Sequence, residues 1–134
     1  MILRFLIAAT LSATPALAAT PISGRWVTVD NSAVVEIGAC GTALCGRIVR
    51  ILSATPKGPP VDSNNPDPAL RARPIQGLNI LSGFTDGGKQ WNGRIYDPKS
   101  GKTYRSVVVR TADGLKVKGC LGPFCQSQLW RPAR

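Results

Sequence analysis

The sequence predicts an all-β protein: a single antiparallel meander of about eight strands that closes into a barrel and carries one long proline-rich loop. Helical periodicity is almost absent, and short β-rich runs recur instead, each bounded by turn residues. DPKSGK from Asp97 is a strong turn sequence, and Asp113-Gly114 is a favoured two-residue hairpin corner. Sequential hairpins in this number can close on themselves and leave no unpaired edge.

The predicted strands cover residues 25–29, 33–37, 45–51, 78–81, 90–96, 102–110, 115–118 and 126–131. Leu115 and Val117 alternate with lysines, which gives that strand one dry and one wet face. The last strand is mixed, because Gln126 and Gln128 share a face with Trp130. Mixed faces are typical of a barrel around a partly wet cavity, and equally of an edge strand or of hydrogen-bonded polar groups in a core.

Residues 53–74 interrupt the strand pattern with six prolines. Proline lacks a backbone donor, so most of this segment is excluded from a central strand. Asp67 as a cap and Pro68 at the first helical position predict one short helical turn. Long loops in compact domains are often functional, although an ordered cover for one end of the barrel is an equal alternative.

Arg71 and Arg73 follow that turn and are candidate ligand-binding residues. If the loop covers an open barrel mouth, either guanidinium could hold a carboxylate or phosphate in a bidentate grip. The alternative is a structural ion pair between one of the arginines and Asp62 or Asp67.

The first 18 residues, MILRFLIAATLSATPALA, are typical of a cleaved secretory signal. A single basic residue precedes an apolar run, Pro15 interrupts it, and Ala16-Leu17-Ala18 has the small-x-small pattern of a cleavage site. The apolar run is far shorter than the roughly 20 residues of a spanning helix, and no later stretch could span a bilayer. The sequence therefore predicts a signal at 1–18, one mature domain at 19–134, and a periplasmic or secreted location.

The mature chain would be strongly basic. Cleavage removes one arginine and no acid, which leaves 16 basic and 7 acidic residues and a net charge of +9. Such a charge raises the question of a nucleic-acid partner. We expect none, because the basic residues are scattered and an exported protein meets little nucleic acid. Anionic envelope lipid is a partner that the charge would favour.

The four cysteines form two pairs with the same spacing, Cys40 with Cys45 and Cys120 with Cys125. Export places them in an oxidising space, where paired cysteines usually become disulfides. Each pair flanks a hairpin loop, which brings the two Cα atoms to the separation of about 5.5 Å that a disulfide prefers. We therefore predict one disulfide within each pair. Crossed pairing stays open, as does a four-cysteine zinc site, although the compartment argues against zinc.

Catalytic groups are scarce. The chain has no histidine, which removes the commonest general base, and its cysteines are expected to be oxidised. DSNNPD from Asp62 matches a calcium loop at two positions, but Pro66 occupies the next required one. We expect no metal, no cofactor and no enzymatic activity, with a carboxylate-based enzyme as the minor alternative.

Five segments, spread in order over nearly the whole mature chain, carry a family resemblance: GRWVT from Gly24, CGTALCGRIV from Cys40, DSNNPDPALRARPIQGLNIL from Asp62, WNGRIYDPKSGKTY from Trp91 and QLWR from Gln128. Through them the chain resembles the bacterial family called Domain of unknown function 2147. The resemblance implies an exported protein with a lipocalin-like barrel. The second cysteine pair departs from the family's usual pattern.

Gly24-x-Trp26 in the first strand is also similar to lipocalins, in which a first-strand tryptophan packs against a late arginine and closes one barrel end. Trp26 and Arg131 match that arrangement by position. A guanidinium over an indole is a cation–π contact worth about 0.5–2 kcal/mol. The resemblance thus implies barrel closure by Trp26 and Arg131.

Together these features predict an exported protein that binds a small amphipathic or anionic ligand in its barrel. The candidate ligand-binding residues are Arg71, Arg73, Trp91 and Tyr104, the last two for apolar area and a hydrogen-bonding hydroxyl. The alternative is a non-enzymatic cell-envelope surface protein that binds anionic lipid or polysaccharide.

Overall fold

The computed structural model describes residues 5–12, 17–53 and 57–134. The predicted signal at 1–18 falls partly on residues 1–4 and 13–16, which lie outside the described residues, as does Pro56 of the proline-rich loop. Residues 5–12, 17 and 18, which belong to the predicted signal, are exposed and lie in no strand. Within the described ranges, no helix has the length and apolar character that a membrane crossing requires.

The described residues form one closed antiparallel barrel whose strands follow chain order. Its strands are β1 Gly24–Val27, β2 Ala33–Cys40, β3 Ala43–Ile51, β4 Asn79–Asp86, β5 Trp91–Asp97, β6 Lys102–Thr111, β7 Gly114–Leu121 and β8 Phe124–Pro132. β8 pairs back onto β1, with Val27 opposite Arg131. The predicted eight-stranded barrel is confirmed, and closure leaves no unpaired sheet edge.

The proline-rich loop joins β3 to β4 and contains the predicted helical turn. This turn is a 3-10 helix at Pro68–Leu70, and the Asp67 carboxylate accepts a hydrogen bond from the Ala69 N–H. The loop also closes a single bridge between Val61 and Pro74, which fastens its two arms together. Residues 61–74 of the loop therefore hold a defined conformation.

Most predicted strand ends differ from the structure by one to five residues, and two of the differences have a clear local cause. β4 runs well past the predicted end at residue 81, because Gly83 takes a positive φ of 64° within a register shift between Ser82 and Thr85. A bulge of this kind lets a strand continue through a glycine. The β6–β7 corner lies one residue earlier than predicted, since Thr111 pairs with Gly114.

Large apolar side chains fill part of the barrel interior. Leu81, Phe84 and Trp130 are among the largest fully buried side chains. Two glycines make room for them: a Cβ at Gly46 would lie 2.8 Å from Leu81, and one at Gly93 would lie 2.6 Å from Phe84. Packing at these positions therefore depends on the missing side chain.

Strand order gives the barrel two distinct ends. Residues 28–32, 52–78, 98–101 and 122–123 connect strands at one end, which we call the open end. Residues 41–42, 87–90 and 112–113 connect strands at the other, which we call the closed end.

Each end carries one disulfide. Cys40–Cys45 pins the β2–β3 hairpin with a Cα–Cα distance of 5.5 Å, and Cys120–Cys125 pins β7–β8 with 4.0 Å. The predicted pairing is confirmed, and none of the described cysteines is free. Disulfides of this kind are consistent with an extracytoplasmic location.

Candidate functional site

A cavity of about 770 Å³ enters the barrel from the open end. Its mouth is bounded by three connections: the β1–β2 turn, the proline-rich loop and the β5–β6 turn. Small-molecule sites typically measure about 300–1,000 Å³. The cavity is therefore large enough to hold a small organic ligand.

Branched aliphatic and aromatic side chains form most of the cavity wall. Ile48, Ile80 and Val117 are buried and line it, and Ile95 is half-buried. Trp130 lies toward the closed end and is 2 % exposed. These side chains offer an apolar surface to a ligand that reaches into the barrel.

One wall of the cavity is polar. The alternation of β8 places Gln126 and Gln128 on the same face as Trp130, and Tyr104 of β6 also lines the cavity. The Trp130 indole N–H donates to the Gln128 Oε1 over 2.7 Å. Because this bond occupies the amide oxygen, the Gln128 NH₂ group is left as a fixed donor.

An ion pair crosses the mouth of the cavity. The Lys99 Nζ donates to the Asp30 Oδ2 over 2.7 Å, which joins the β5–β6 turn to the β1–β2 turn. Burial raises the pKa of the Asp30 carboxyl, but hydrogen bonds from Lys99 and two hydroxyl groups outweigh it and hold that pKa well below its usual range. The same contact raises the pKa of Lys99. Asn64 adds a second link, because its Nδ2 donates to the Lys99 carbonyl over 3.0 Å.

Beside the mouth, a buried carboxylate anchors the proline-rich loop. Asp62 is fully buried and accepts from the Tyr96 hydroxyl at 2.6 Å, the Asn65 Nδ2 at 2.9 Å and the Arg73 Nε at 2.8 Å. Burial raises the pKa of the Asp62 carboxyl, but these donors outweigh it and hold the pKa below its usual value. Burial and the adjacent carboxylate raise the pKa of Tyr96. Since Tyr96 lines the cavity, this cluster ties the loop to the cavity wall.

The two arginines proposed as ligand contacts are both engaged in the loop. Arg73 pairs with Asp62 and lies over the Tyr96 ring, 5.7 Å from its centroid. The Arg71 Nε donates to the Asn65 carbonyl over 2.8 Å. Neither arginine is among the described residues that line the cavity. The contact of Arg73 with Asp62 is the structural ion pair that the sequence left open as the alternative.

The other two candidate residues, Trp91 and Tyr104, lie in different parts of the barrel. Tyr104 lines the cavity, as the site prediction requires. Trp91 lies near the closed end, where its indole N–H donates to the Thr20 carbonyl over 3.0 Å. The structure thus brings only Tyr104 of the four candidates to the cavity.

The closed end is covered by Trp26, but with a different arginine from the one predicted. The Arg110 Cζ lies 4.9 Å from the centroid of the Trp26 ring, and the Trp26 Nε1 donates to the Ile22 carbonyl over 3.0 Å. Arg131 lies on β8 opposite Val27. Arg110 therefore takes the place assigned to Arg131, because β6 brings its guanidinium to the ring.

Sequence reasoning did not name several residues that shape the site. Gln126 and Gln128 gave a usable signal, since their alternation with Trp130 marked one mixed face. No sequence signal pointed to the pairs Asp30–Lys99 and Asp62–Tyr96, because the two residues of each pair are far apart in the chain. Within residues 5–12, 17–53 and 57–134, no group of three or more His, Cys, Asp or Glu is arranged to hold a metal ion.

Strand order, closure and an open-ended cavity define the chain as a lipocalin-like barrel. The family described as "Uncharacterized protein conserved in bacteria (DUF2147)" matches residues 24–131, and the chain belongs to that family.

A similar solved structure is protein HP1028 from Helicobacter pylori, described as belonging to the lipocalin family. It is 21 % identical with a TM-score of 0.74, over 87 % of this chain and 85 % of that one. At this identity the likeness shows the fold. A search of the curated proteins found no match.

Proposed function

We propose that this protein binds a small amphipathic molecule inside its barrel. The observation that carries the proposal is the cavity of about 770 Å³, open at one end, with apolar walls and one polar wall. Concave, largely apolar pockets with a few oriented polar groups are the usual form of a small-molecule site. The lipocalin-like fold supports the same function.

The lining suggests how such a ligand would lie. An apolar body would extend toward Trp130 between Ile48 and Val117, and each buried CH₂ would contribute about 0.8 kcal/mol. A hydrogen-bonding group would face the Gln128 NH₂ and the Tyr104 hydroxyl.

The charges at the mouth favour an uncharged polar group over an anion. Lys99 is the sole cation among the described residues that line the cavity, and it already pairs with Asp30. Arg71 and Arg73, on which an anionic ligand would depend, are held in the loop. We therefore propose a neutral amphipathic ligand.

We propose further that the protein works outside the cytoplasm and performs no chemistry on its ligand. The signal-like N terminus and the two disulfides support export. The two carboxylates that line the cavity have local structural partners: Asp30 pairs with Lys99, and Asp97 accepts from the Lys99 backbone N–H and the Ser100 hydroxyl. A binding protein needs neither of them as an acid or base.

A cavity-filling variant tests the proposal. Gly119 lines the cavity, and a Cβ there would meet its nearest atom, on Ile95, at an ordinary 3.7 Å. Gly119→Phe should therefore fill the cavity without straining the strand. Gly38→Phe is the matched control, since a Cβ at Gly38 meets nothing within 4 Å.

The probe is N-phenyl-1-naphthylamine, an uncharged amphipathic dye whose fluorescence rises in apolar surroundings. We expect saturable, one-to-one binding by the wild-type protein and by Gly38→Phe, and at least about tenfold weaker binding by Gly119→Phe, which equals about 1.4 kcal/mol. Equal binding by all three proteins, or no saturable binding by the wild type, would contradict the proposal.

A second function is favoured by one observation at the open end. Leu121 and Phe124 are 73 % and 81 % exposed at the cavity mouth of a strongly basic chain. Exposed apolar groups beside positive charge suit a cell-envelope protein that docks on anionic lipid. Salt-sensitive sedimentation with phosphatidylglycerol vesicles, unchanged by Gly119→Phe, would favour this alternative. Sedimentation no greater than with phosphatidylcholine vesicles would exclude it.

A further inference from the structure

The boundary of the folded protein coincides with the predicted cleavage site. Leu17 and Ala18 are exposed, whereas Ala19 is only 6 % exposed. The Ala19 backbone nitrogen lies 3.0 Å and 3.2 Å from the two carboxylate oxygens of Asp86, at the end of β4. The chain thus passes from solvent into the closed end of the barrel within one peptide bond.

Each of the next three residues is also held, through its carbonyl. The Thr20 carbonyl accepts from Trp91 at 3.0 Å. The Pro21 carbonyl accepts from Arg110 at 3.3 Å. The Ile22 carbonyl accepts from the Trp26 indole at 3.0 Å, and Ile22 itself is fully buried. Residues 19–22 are therefore an integral part of the closed end.

The contact at Asp86 has the geometry of an ammonium site. A peptide nitrogen carries one hydrogen and can serve one acceptor well, whereas an ammonium carries three and can serve both oxygens of a carboxylate. Here both oxygens of Asp86 lie within hydrogen-bond distance of one nitrogen. The carboxylate is also oriented by the Gly88 N–H, which donates to Oδ1 over 2.7 Å.

We propose that the chain is cleaved between Ala18 and Ala19 and that Asp86 binds the α-ammonium group that cleavage creates. A peptidase of the export pathway would catalyse the hydrolysis. Water adds to the Ala18 carbonyl, the C–N bond breaks, Ala18 leaves as a carboxylate that keeps the water oxygen, and the Ala19 nitrogen takes up both protons of that water and becomes an ammonium. The hydrogen bond seen in the uncleaved chain then becomes a charge-assisted ion pair.

Cleavage of the chain is then a step in the maturation of the fold. Before cleavage, Asp86 meets an uncharged peptide N–H, and after cleavage it meets a positive charge at the same position. One extra residue at the mature N terminus would move the charge away and restore the weaker contact. A role for Asp86 confined to its own β4–β5 turn would not depend on the N terminus at all.

The test is a double-mutant cycle on the exported protein. The first variant is Asp86→Asn. The second carries one glycine inserted between Ala18 and Ala19, so that cleavage after Ala18 makes this glycine the N-terminal residue. Intact mass gives the N terminus of each product, and thermal unfolding gives its midpoint. Asp113→Asn is the control, because Asp113 is an exposed carboxylate in the β6–β7 corner.

We expect the wild-type product to begin at Ala19. Asp86→Asn and the insertion should each lower its unfolding midpoint by about 3–5 °C, with no further loss when they are combined. Asp113→Asn should leave the midpoint unchanged. A product that begins at another residue, or losses that simply add, would overturn the proposal.

Discussion

Replacement of Asp62 by alanine should destabilise the protein by about 3–4 kcal/mol, because it removes the acceptor for three side chains at once. Asn65 is 5 % exposed, so its NH₂ group would be left buried without its partner, at a cost of about 1–3 kcal/mol. Tyr96 and Arg73 reach solvent and would recover part of their bonds from water. Because of that recovery, the expected loss in the free energy of unfolding is smaller than the loss of three full charge-assisted hydrogen bonds.

Arg73→Ala should cost less, about 1–2 kcal/mol. The Arg73 side chain is 36 % exposed, so solvent screens its attraction to Asp62, which keeps two other donors. The double mutant should lose less than the sum of the single mutants, since both remove the same ion pair. Asp67→Ala is a control in the same loop, with an expected loss of about 1 kcal/mol from its cap.

The assay is urea unfolding followed by the fluorescence of the three tryptophans. A loss of about 3–4 kcal/mol in Asp62→Ala corresponds to a fall in the thermal midpoint of about 12 °C. If Asp62→Ala stayed within about 0.5 kcal/mol of the wild type, the buried carboxylate would not anchor the loop. Additive losses for Asp62→Ala and Arg73→Ala would show that the two groups do not interact.

Acidification gives an independent measure of the same carboxylate. The contacts of Asp62 lower the pKa of its carboxyl in the folded protein. The ionised carboxylate therefore stabilises the fold at pH values above the unfolded-state pKa of about 3.9. This stabilisation is lost as the pH falls through the folded-state pKa. The wild type should therefore lose stability below about pH 4, and Asp62→Asn should lose less over the same interval. An unchanged slope in Asp62→Asn would contradict this reasoning.

Three further predictions concern the two ends of the barrel. Trp26→Ala should cost about 3–5 kcal/mol in urea unfolding and should couple to Arg110→Ala but not to Arg131→Ala; coupling to Arg131 would contradict the observed contact. Lys99→Ala should open the mouth of the cavity, so that the dye enters faster in stopped-flow fluorescence. The free energy of unfolding should change by less than about 1 kcal/mol. An unchanged entry rate would show that the ion pair with Asp30 is no barrier to the dye. Mass mapping of the non-reduced protein should find only disulfides within each hairpin, and a peptide that joins the two hairpins would disprove this pairing.

Local features of the fold could be predicted from the sequence because their partners are close in the chain. Each disulfide joins cysteines five positions apart, so a short hairpin is enough to bring them together. The turn after Asp97 follows from its own residues: the Asp97 carboxylate accepts from the Lys99 N–H, and Gly101 takes a positive φ of 71°. Such interactions depend on no other part of the barrel.

The candidate site was harder to predict because its contacts depend on strand register. Arg110 and Trp26 meet only after the barrel has closed, and the resemblance to lipocalins pointed to Arg131 as the partner of the indole. Tyr96 reaches Asp62 across 34 positions of the sequence. Mixed polarity on β8 was compatible with a cavity and equally with an edge strand or a hydrogen-bonded core, and the size of a cavity depends on how side chains from every strand fill the interior.

A native mass spectrum of the protein, purified from the bacterium that makes it, tests the central claim most directly. If the barrel cavity binds a small molecule, the wild-type protein should carry an additional mass that is released on denaturation. The Gly38→Phe variant should carry the same mass, and Gly119→Phe, with its cavity filled, should carry none. An added mass that persists in Gly119→Phe, or a wild-type protein that carries none, would contradict ligand binding in the cavity.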